Sequence, residues 1–279
     1  MPSVLVTGAG RGIGRATALR LAGHGWDVIA GVRRAEDGQA LSEAQAGRIT
    51  AVTLDVTDEQ QLAALDGALP GQLDALVNNA GVVVGSPIEA VPLSELRRQL
   101  EVNVVGQAAV TQAALPRLRA SRGRAVFVSS LSGRVATPLM GPYSASKFAL
   151  EAMADALRME LAPWGIRVIL IEPTQTDTDL WRHAERDLDE AVAAISPSHR
   201  ELYAGHIAGF RKMIPRSQRA AVPAESVAAV IEKALTDRRP RARYLVGRGA
   251  RAQALLAQLT PTPVLDRLLS AGTRVPRRR

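Results

Sequence analysis

The stretch GPYSASKFAL, residues 141–150, holds a tyrosine and a lysine four positions apart. A free phenol has a pKa of about 10 and is a poor base at neutral pH. A nearby ammonium favours the phenolate and lowers that value. On a helix, Tyr143 and Lys147 would stand one turn apart on the same face. Such a pair can give or take a proton near neutrality, which is what interconverting a carbonyl and an alcohol demands. The same spacing also arises where a helix merely begins, so the pair gains meaning only from its company.

A second chemical feature opens the chain. VLVTGAGRGIG (4–14) reads as a strand running into a glycine-rich turn and then a helix. Gly8, Gly12 and Gly14 would let the backbone approach a pyrophosphate at the helix N-terminus, where free N–H groups and the helix dipole favour anions. The spacing is GxxxGxG, not the GxGxxG of the commoner dinucleotide fingerprint. A tight turn that needs glycine for steric reasons alone is the other reading.

The elements that must position these residues follow a simple rhythm. SVLVT (3–7), DVIAGV (27–32), ITAVTL (49–54), DALVN (74–78), RAVFVS (124–129) and RVILIE (167–172) read as strands. Their apolar residues are consecutive, as expected when both faces of a parallel sheet are covered. Helical patterns lie between them, the longest at 93–120 and 144–162; Thr57 with Gln60 reads as a capping box for another. The fold class is therefore α/β: a single doubly wound parallel sheet with helices on both faces and right-handed crossovers. Ligands are expected beyond the C-terminal strand ends. Residues 174–222 read as polar and irregular, 223–237 as a helix, and ARYLVG (242–247) as a last strand. The expected organisation is one domain over 1–250, with a lid at about 179–215, then a C-terminal helical extension with a basic tail over 251–279.

TGAGRGIG resembles the cofactor motif of the short-chain dehydrogenase/reductase family, and the other signatures follow in order: LDVTD (54–58), NNAG (78–81), VNVVG (102–106), VSS (128–130) and YSASK (143–147). The likeness covers roughly residues 3–178, and the tail is loosely like the retinoid- and steroid-type subgroup. It implies a Rossmann-like fold and a catalytic set of Asn103, Ser130, Tyr143 and Lys147. The family's thirteen-residue spacing before the tyrosine selects Ser130 over Ser129 and Ser132. Ser130, just past a strand end, would donate to a substrate oxygen and stabilise charge developing there. By resemblance, Lys147 also holds the nicotinamide ribose, and Asn103 holds a water linking Lys147 to solvent. Asparagine is a poor helix former, so its place inside a helical pattern points to a side-chain role.

The same resemblance places the cofactor against Gly8, Arg11, Gly12, Ile13 and Gly14. Asp55 would accept from the adenine amino group beside the Val56 backbone, and Asn79 and Gly81 would line the nucleoside. Tyr143, Lys147, Thr176 and Thr178 would meet the nicotinamide end. Thr174 stands where the family has glycine, which puts the backbone at Thr176 and Thr178 in question. At the end of the second strand an acidic residue selects NAD(H) and basic residues accept a 2′-phosphate. Here Val32 is followed by Arg33 and Arg34, and Arg11 lies in the glycine turn, so NADP(H) is expected. Glu36 and Asp37 keep NAD(H) possible, because loop geometry could bring one of them back.

Composition narrows the rest. Cysteine is absent, and His24, His183, His199 and His206 show no metal-ligand spacing, so no metal is expected. No apolar run reaches the roughly 18 residues that span a bilayer, and strand-like sequence from Val4 leaves no room for a signal peptide, so the expected compartment is the cytoplasm. The net charge of +8 is spread along the chain, with a local excess at RVPRRR (274–279). No basic strip is interleaved with aromatics, so nucleic acid is not an expected partner. The extension carries Leu255, Leu256, Leu259, Leu265, Leu268 and Leu269 around TPTP, and could cap a pocket, pack between subunits or touch a membrane. Its short, broken stripe disfavours the membrane.

The expected activity is hydride transfer between NADP(H) and a medium-sized apolar ketone or secondary alcohol, with Tyr143 as general acid/base. Trp181, Tyr203 and Phe210 in the lid segment could wall an apolar pocket or pack the lid onto the body. An NAD(H)-dependent alcohol dehydrogenase of the same fold, and a non-catalytic dinucleotide sensor or scaffold, are the other readings; epimerase or dehydratase chemistry fits less well. The partners implied are a small carbonyl or alcohol substrate and, because the two long helices resemble those that pair subunits in the family, copies of the chain in a homodimer or homotetramer.

Overall fold

The computed structural model describes residues 1–273; the basic tail RVPRRR lies outside the described residues. Six strands run through the first two thirds of the chain: β1 (Ser3–Thr7), β2 (Asp27–Val32), β3 (Ile49–Thr53), β4 (Ala75–Asn78), β5 (Arg124–Val128) and β6 (Arg167–Pro173). The two-residue β7 (Thr176–Asp177) and β8 (Val222–Pro223) pair only with each other, and β9 (Arg243–Val246) returns to the main sheet. The seven-stranded order is β3-β2-β1-β4-β5-β6-β9, parallel throughout.

Helices α1 (Gly12–Gly23), α2 (Ala35–Ala44), α3 (Glu59–Ala68), α4 (Leu93–Leu100), α5 (Gly106–Ser121) and α6 (Gly141–Glu160) carry the crossovers. Next come α7 (Asp179–Arg182), α8 (Ala184–Ala194), α9 (Pro197–Leu202), α10 (Ala204–Ala220) and α11 (Ala224–Thr236), and after β9 the terminal α12 (Ala250–Leu259) and α13 (Thr262–Gly272). Alternation along β1 sorts the two cores. Val4 and Val6 join Leu21, Val227 and Ile231 on the face of α1 and α11. Leu5 joins Leu65, Val110, Leu118 and Leu150 on the face of α3, α5 and α6. Strand order reverses between β1 and β4, and the crevice at such a switch point is where ligands bind.

Four expectations change. The helix after Thr57 starts at Glu59 and is capped by Asp58, whose Oδ1 accepts from Gln60 N at 2.9 Å and Gln61 N at 3.1 Å. Thr57 cannot cap, because its hydroxyl is committed to Asp55 Oδ1 at 2.7 Å. The helix expected over 93–120 is broken by a π turn, Glu101–Val105, with Asn103 at its centre. The helix carrying Tyr143 starts three residues earlier than expected, at Gly141, with Pro142 in its first turn. Residues 179–220 are helical rather than irregular; Leu188, Phe210 and Ile214 make a small core of their own with Leu139. Small alanines in α8 and a proline inside α10, Pro215, mask the periodicity.

Charged groups are buried beside α6. Arg243 on β9 meets Asp155 at 2.6 Å, Glu151 at 3.1 Å and Glu172 at 3.2 Å, while Arg134 donates to Glu172 at 2.9 Å. Glu172 is fully buried. Removing one partner of a buried ion pair costs about 3–5 kcal/mol. Arg243→Met is expected to fall near the lower end, since Arg134 stays on Glu172, and denaturant unfolding measures it. A midpoint equal to the parent's would show that Arg243 holds nothing in place.

Candidate functional site

The glycine turn is built for close approach. Gly8 and Gly12 have φ of +63° and +53°, and a Cβ on Gly14 would sit 2.2 Å from the Gly8 carbonyl oxygen. Arg11 caps α1 without a side-chain hydrogen bond, and the first turn holds no acidic residue. The amides there are thus free to receive an anion. A Cβ on Gly12 would meet Thr178 Cγ2 at 3.1 Å, so Thr178 faces the turn from the far side of the crevice. The groove outside, about 680 Å³, is lined by Arg11, Gly12, Arg15 and Thr178 among others.

Asn79 laces this turn to β4. Its Nδ2 donates to Thr7 O at 3.0 Å and Gly8 O at 3.2 Å, and Thr7 Oγ1 accepts from the amides of Asn79 and Ala80, both at 3.0 Å. Asp55 Oδ1 accepts from Thr57 N at 3.0 Å, and Val56 is buried beneath the site. Arg33 and Arg34 are exposed at the end of β2. Among the described residues, Arg11, Arg33 and Arg34 form no salt bridge with the protein's own carboxylates. Asp37 does come back toward the turn: a Cβ on Gly10 would lie 2.7 Å from its Oδ2. Thr174 does not share the left-handed backbone open to glycine, since only Arg122 and Leu139 among the described non-glycine residues have positive φ.

Next to the turn, Ser130, Tyr143 and Lys147 line one cavity of about 350 Å³ together with Ile13, Asn79 and Gly81. Thr176 and Thr178 line it as well. Ser130 caps the short 3₁₀ turn Leu131–Gly133, its Oγ accepting from Ser132 N at 3.1 Å, which leaves the hydroxyl proton free to be donated. Lys147 is buried; its Nζ donates to Val128 O at 2.8 Å and lies 5.8 Å from the centroid of the Tyr143 ring. Burial lowers the Lys147 ammonium to about 8 against the opposing pull of Glu151.

The phenol behaves differently from the sequence expectation. Burial raises Tyr143 above its ordinary value, and only the Ser130 hydroxyl pulls the other way. The ammonium does not lower it, because Nζ is drawn to the Val128 carbonyl. Asn103 is hydrogen-bonded to neighbouring protein groups as well. Its Oδ1 accepts from Val82 N at 2.9 Å and its Nδ2 donates to Val82 O and Ser146 Oγ, both at 3.0 Å. Its side chain therefore ties the π turn, the loop after β4 and α6 together; π turns often mark functional sites.

The substrate side is walled by distant parts of the chain. Trp181 and Phe210 line the cavity, while Tyr203 points away and donates to Glu89 Oε2 at 2.7 Å. Gln253, Leu256, Leu265 and Leu269 of α12 and α13 also line it, so of the three uses open to the extension, capping the pocket is the one its contacts support. Sequence reasoning passed over Leu139, Glu151 and Arg243. Glu151 stands at i+4 from Lys147, a spacing that was there to be read; Arg243, 92 residues beyond Glu151, gave no local sign. Leu139 has φ +69° without being glycine, which costs about 1–2 kcal/mol. Its side chain plugs the core of the 179–220 helices, and its carbonyl accepts from Ser86 N at 2.7 Å.

The family model described as short chain dehydrogenase matches residues 2–189. The chain belongs to the short-chain dehydrogenase family. An NADPH-dependent 3-dehydrocapnine reductase from Ornithobacterium rhinotracheale is 34% identical over 281 residues, covering 96% of this chain and 96% of that protein. Retinol dehydrogenase 5 of Mus musculus is 34% identical over 282 residues, covering 96% of this chain and 87% of that protein. A crystal structure of a short chain dehydrogenase from Burkholderia cenocepacia in complex with NADP aligns with a TM-score of 0.74 at 26% identity, covering 96% of this chain and 97% of that one. This short-chain dehydrogenase is an NAD(P)-dependent oxidoreductase with a Rossmann-like sheet, on the retinoid- and steroid-like side of its family.

The glycine turn generates a direct test. In Gly12→Ala the new methyl would press on Thr178 and narrow the groove over the free amides of the turn. Overpacking of this kind costs about 1–3 kcal/mol, so NADPH binding is expected to weaken by roughly tenfold or more. Cofactor fluorescence titration measures this, and unchanged affinity would remove the turn from the binding site.

Proposed function

We propose that this short-chain dehydrogenase interconverts a medium-sized apolar ketone and its secondary alcohol with NADP(H), using Tyr143 as general acid/base. One observation carries the reading: Ser130, Tyr143 and Lys147 share a cavity whose other walls include Val83, Leu131, Met140, Trp181 and Phe210. A few convergent polar groups in an apolar enclosure describe a site that holds a carbonyl by its oxygen and its substituents by packing.

When bound, the nicotinamide supplies or accepts the hydride at the carbonyl carbon. In reduction Tyr143 Oη gives its proton to the carbonyl oxygen as the C=O π bond opens, and in oxidation Oη takes it back. Ser130 Oγ donates to the same oxygen and stabilises charge gathering there. Lys147 Nζ holds the ribose hydroxyls, and as an ammonium turned from the Val128 carbonyl toward the reacting centre it favours the phenolate that Tyr143 becomes. The amides at Gly12, Ile13 and Gly14 hold the pyrophosphate, with Thr176 and Thr178 opposite, while Asp55, Val56, Asn79 and Gly81 hold the nucleoside.

The 2′-phosphate is assigned to Arg33 and Arg11, whose charges have no carboxylate partner among the described residues. NADPH and NADP in the names of two compared proteins agree with this choice. NAD(H) is the second reading, favoured by the approach of Asp37 to Gly10. We assign residues 179–215 as the lid, within a dehydrogenase domain over 1–250, and 251–279 as an extension. The proposed oligomer, a homodimer or homotetramer, would use α5 and α6, where Phe148 and Met159 are exposed. No described helix is long and apolar enough to cross a membrane.

Tyr143→Phe is expected to lower kcat by about 10²–10⁴-fold while NADPH still binds. Turnover of a ketone panel and cofactor titration test this, and retained turnover would sink the mechanism. A second expectation concerns pH. Reduction needs Lys147 charged, and burial has brought its pKa down to about 8. The kcat/KM for NADPH should therefore fall about tenfold per pH unit once pH rises past that value. A flat profile to pH 10 would exclude Lys147 from the protonic machinery. Measuring kcat/KM with NADPH and NADH on one ketone decides the cofactor.

A further inference from the structure

A second cavity of about 450 Å³ lies under α8, beside the loop after β4. None of the proposed catalytic or cofactor-binding residues lines it. It shares four walls with the catalytic cavity: Val83, Met140, Trp181 and Phe210. Those four apolar side chains form a partition between two chambers, each of a size that suits a small ligand. Val83, Met140 and Trp181 are only partly buried, so the partition is not sealed into the core. Met140 is presented there by the left-handed backbone of Leu139, which is pinned through Ser86 and through the core of the lid helices. Strain of this kind persists where the surroundings over-determine it, and it gathers at binding sites.

We infer that the two chambers form one elongated substrate site: the carbonyl lies at Tyr143, and an unbranched apolar tail passes the Val83–Met140–Trp181–Phe210 partition into the chamber under α8. The inference rests on the proposed ketone chemistry and names its substrate class, a long-chain ketone or alcohol. The inner walls of the distal chamber suit an alkyl tail, with Val84, Val91, Leu188 and Ala191 facing it. Its rim adds a restriction. Glu95, Asp187 and Glu190 line the chamber with Arg98; Glu95 holds Arg98 at 2.6 Å, and Arg186 holds Asp187 at 3.1 Å and Glu190 at 3.6 Å. A tail ending in a carboxylate would find no unpaired cation among the described lining residues, so the tail ends in a neutral group.

The test uses straight-chain methyl ketones of about six, ten and fourteen carbons with NADPH, on the full chain. Burying each methylene is worth about fourfold in kcat/KM until the chamber is full. The parent enzyme should therefore favour the longest ketone over the shortest by at least about a hundredfold. Ala191→Phe fills the distal chamber, and Ala194→Phe narrows it from the next turn of α8. Both should cut that long-to-short ratio by roughly tenfold or more. The ratio, rather than absolute turnover, separates a blocked chamber from a poorly folded variant, and turnover of the shortest ketone reports folding. A long-to-short ratio equal to the parent's in both variants would overturn the inference, because the tail would then leave by another route, past α12 and α13. Equal kcat/KM across the series in the parent would overturn it too while leaving the ketone reductase reading intact. Turnover of no ketone at any length would overturn that reading and this inference with it. A fourteen-carbon analogue ending in a carboxylate should be the poorer substrate, and equal turnover of it would remove the neutral-tail restriction.

Discussion

One guanidinium, that of Arg243, holds three carboxylates: Glu151 and Asp155 on α6 and Glu172 on β6. Helix α6 has to lie against the sheet with its first turns at the end of β5, because Tyr143 and Lys147 can meet Ser130 only there. A helix held by apolar contacts alone could slide or rotate with little penalty, since such contacts are non-directional. The fork of Arg243 fixes α6 against the edge strand, and the second guanidinium, Arg134, fixes the turn after Ser130 to the same buried Glu172. With every member ionised, three guanidinium groups, Arg134, Arg243 and Arg158 (which meets Asp155 at 3.0 Å), face three carboxylates, Glu151, Asp155 and Glu172. The ammonium of Lys147, one turn before Glu151 on α6, stands at the edge of that balance.

That balance has a protonic consequence. Burial works in opposite directions on the two members of the Tyr–Lys pair, raising the phenol and bringing the ammonium down to about 8. The Glu151 carboxyl is itself raised by burial and restrained by Arg243, so its opposition to the lowering of Lys147 is partial. At neutral pH the phenol stays protonated and the lysine still holds its charge with little reserve. Under the proposed mechanism that condition suits reduction, where the acid must arrive protonated. Oxidation would ask the same phenol to ionise, and only a charged Lys147 and the hydroxyl of Ser130 could help it.

How much of this could be read from the sequence depended on distance along the chain. The strands were legible because both faces of the sheet are covered: β1 and β2 begin and end where the consecutive apolar runs do. The pairing of Tyr143 with Lys147 is local to one helix, and the glycine turn is local to one loop. The π turn at Asn103 was not legible, because inserting one residue per turn changes backbone hydrogen bonding without changing residue type. Asp58 took the cap from Thr57 because Asp55 had already taken the threonine hydroxyl, a competition among three neighbours of similar propensity. Arg243 reaches Glu151 across 92 residues, and the left-handed backbone of Leu139 is imposed by packing that leucine does not announce.

The division between legible and illegible parts follows a division of labour. Every residue proposed to handle the hydride, the proton or the cofactor comes before Asp179, on strand ends and helix starts whose geometry the sheet dictates. Most of the walls that would recognise a substrate come after it: Trp181, Phe210, Met213, Leu256, Leu265 and Leu269, on helices that touch the sheet only at its rim. Those helices are held by a small apolar core, by exposed ion pairs such as Arg182 with Asp177 at 2.8 Å and Arg211 with Asp189 at 2.6 Å, which contribute little, and by single contacts such as Gln218 Nε2 to Trp181 O at 2.8 Å. Elements held that lightly sit at the low end of local stability, where opening is least costly. Under the proposed mechanism the phenol lining the cavity needs such a cover, since it must be closed off from water during proton transfer and opened for exchange. Rigid placement of the acid and loose placement of its roof are therefore two sides of one requirement, and the roof is where this chain is free to choose its substrate.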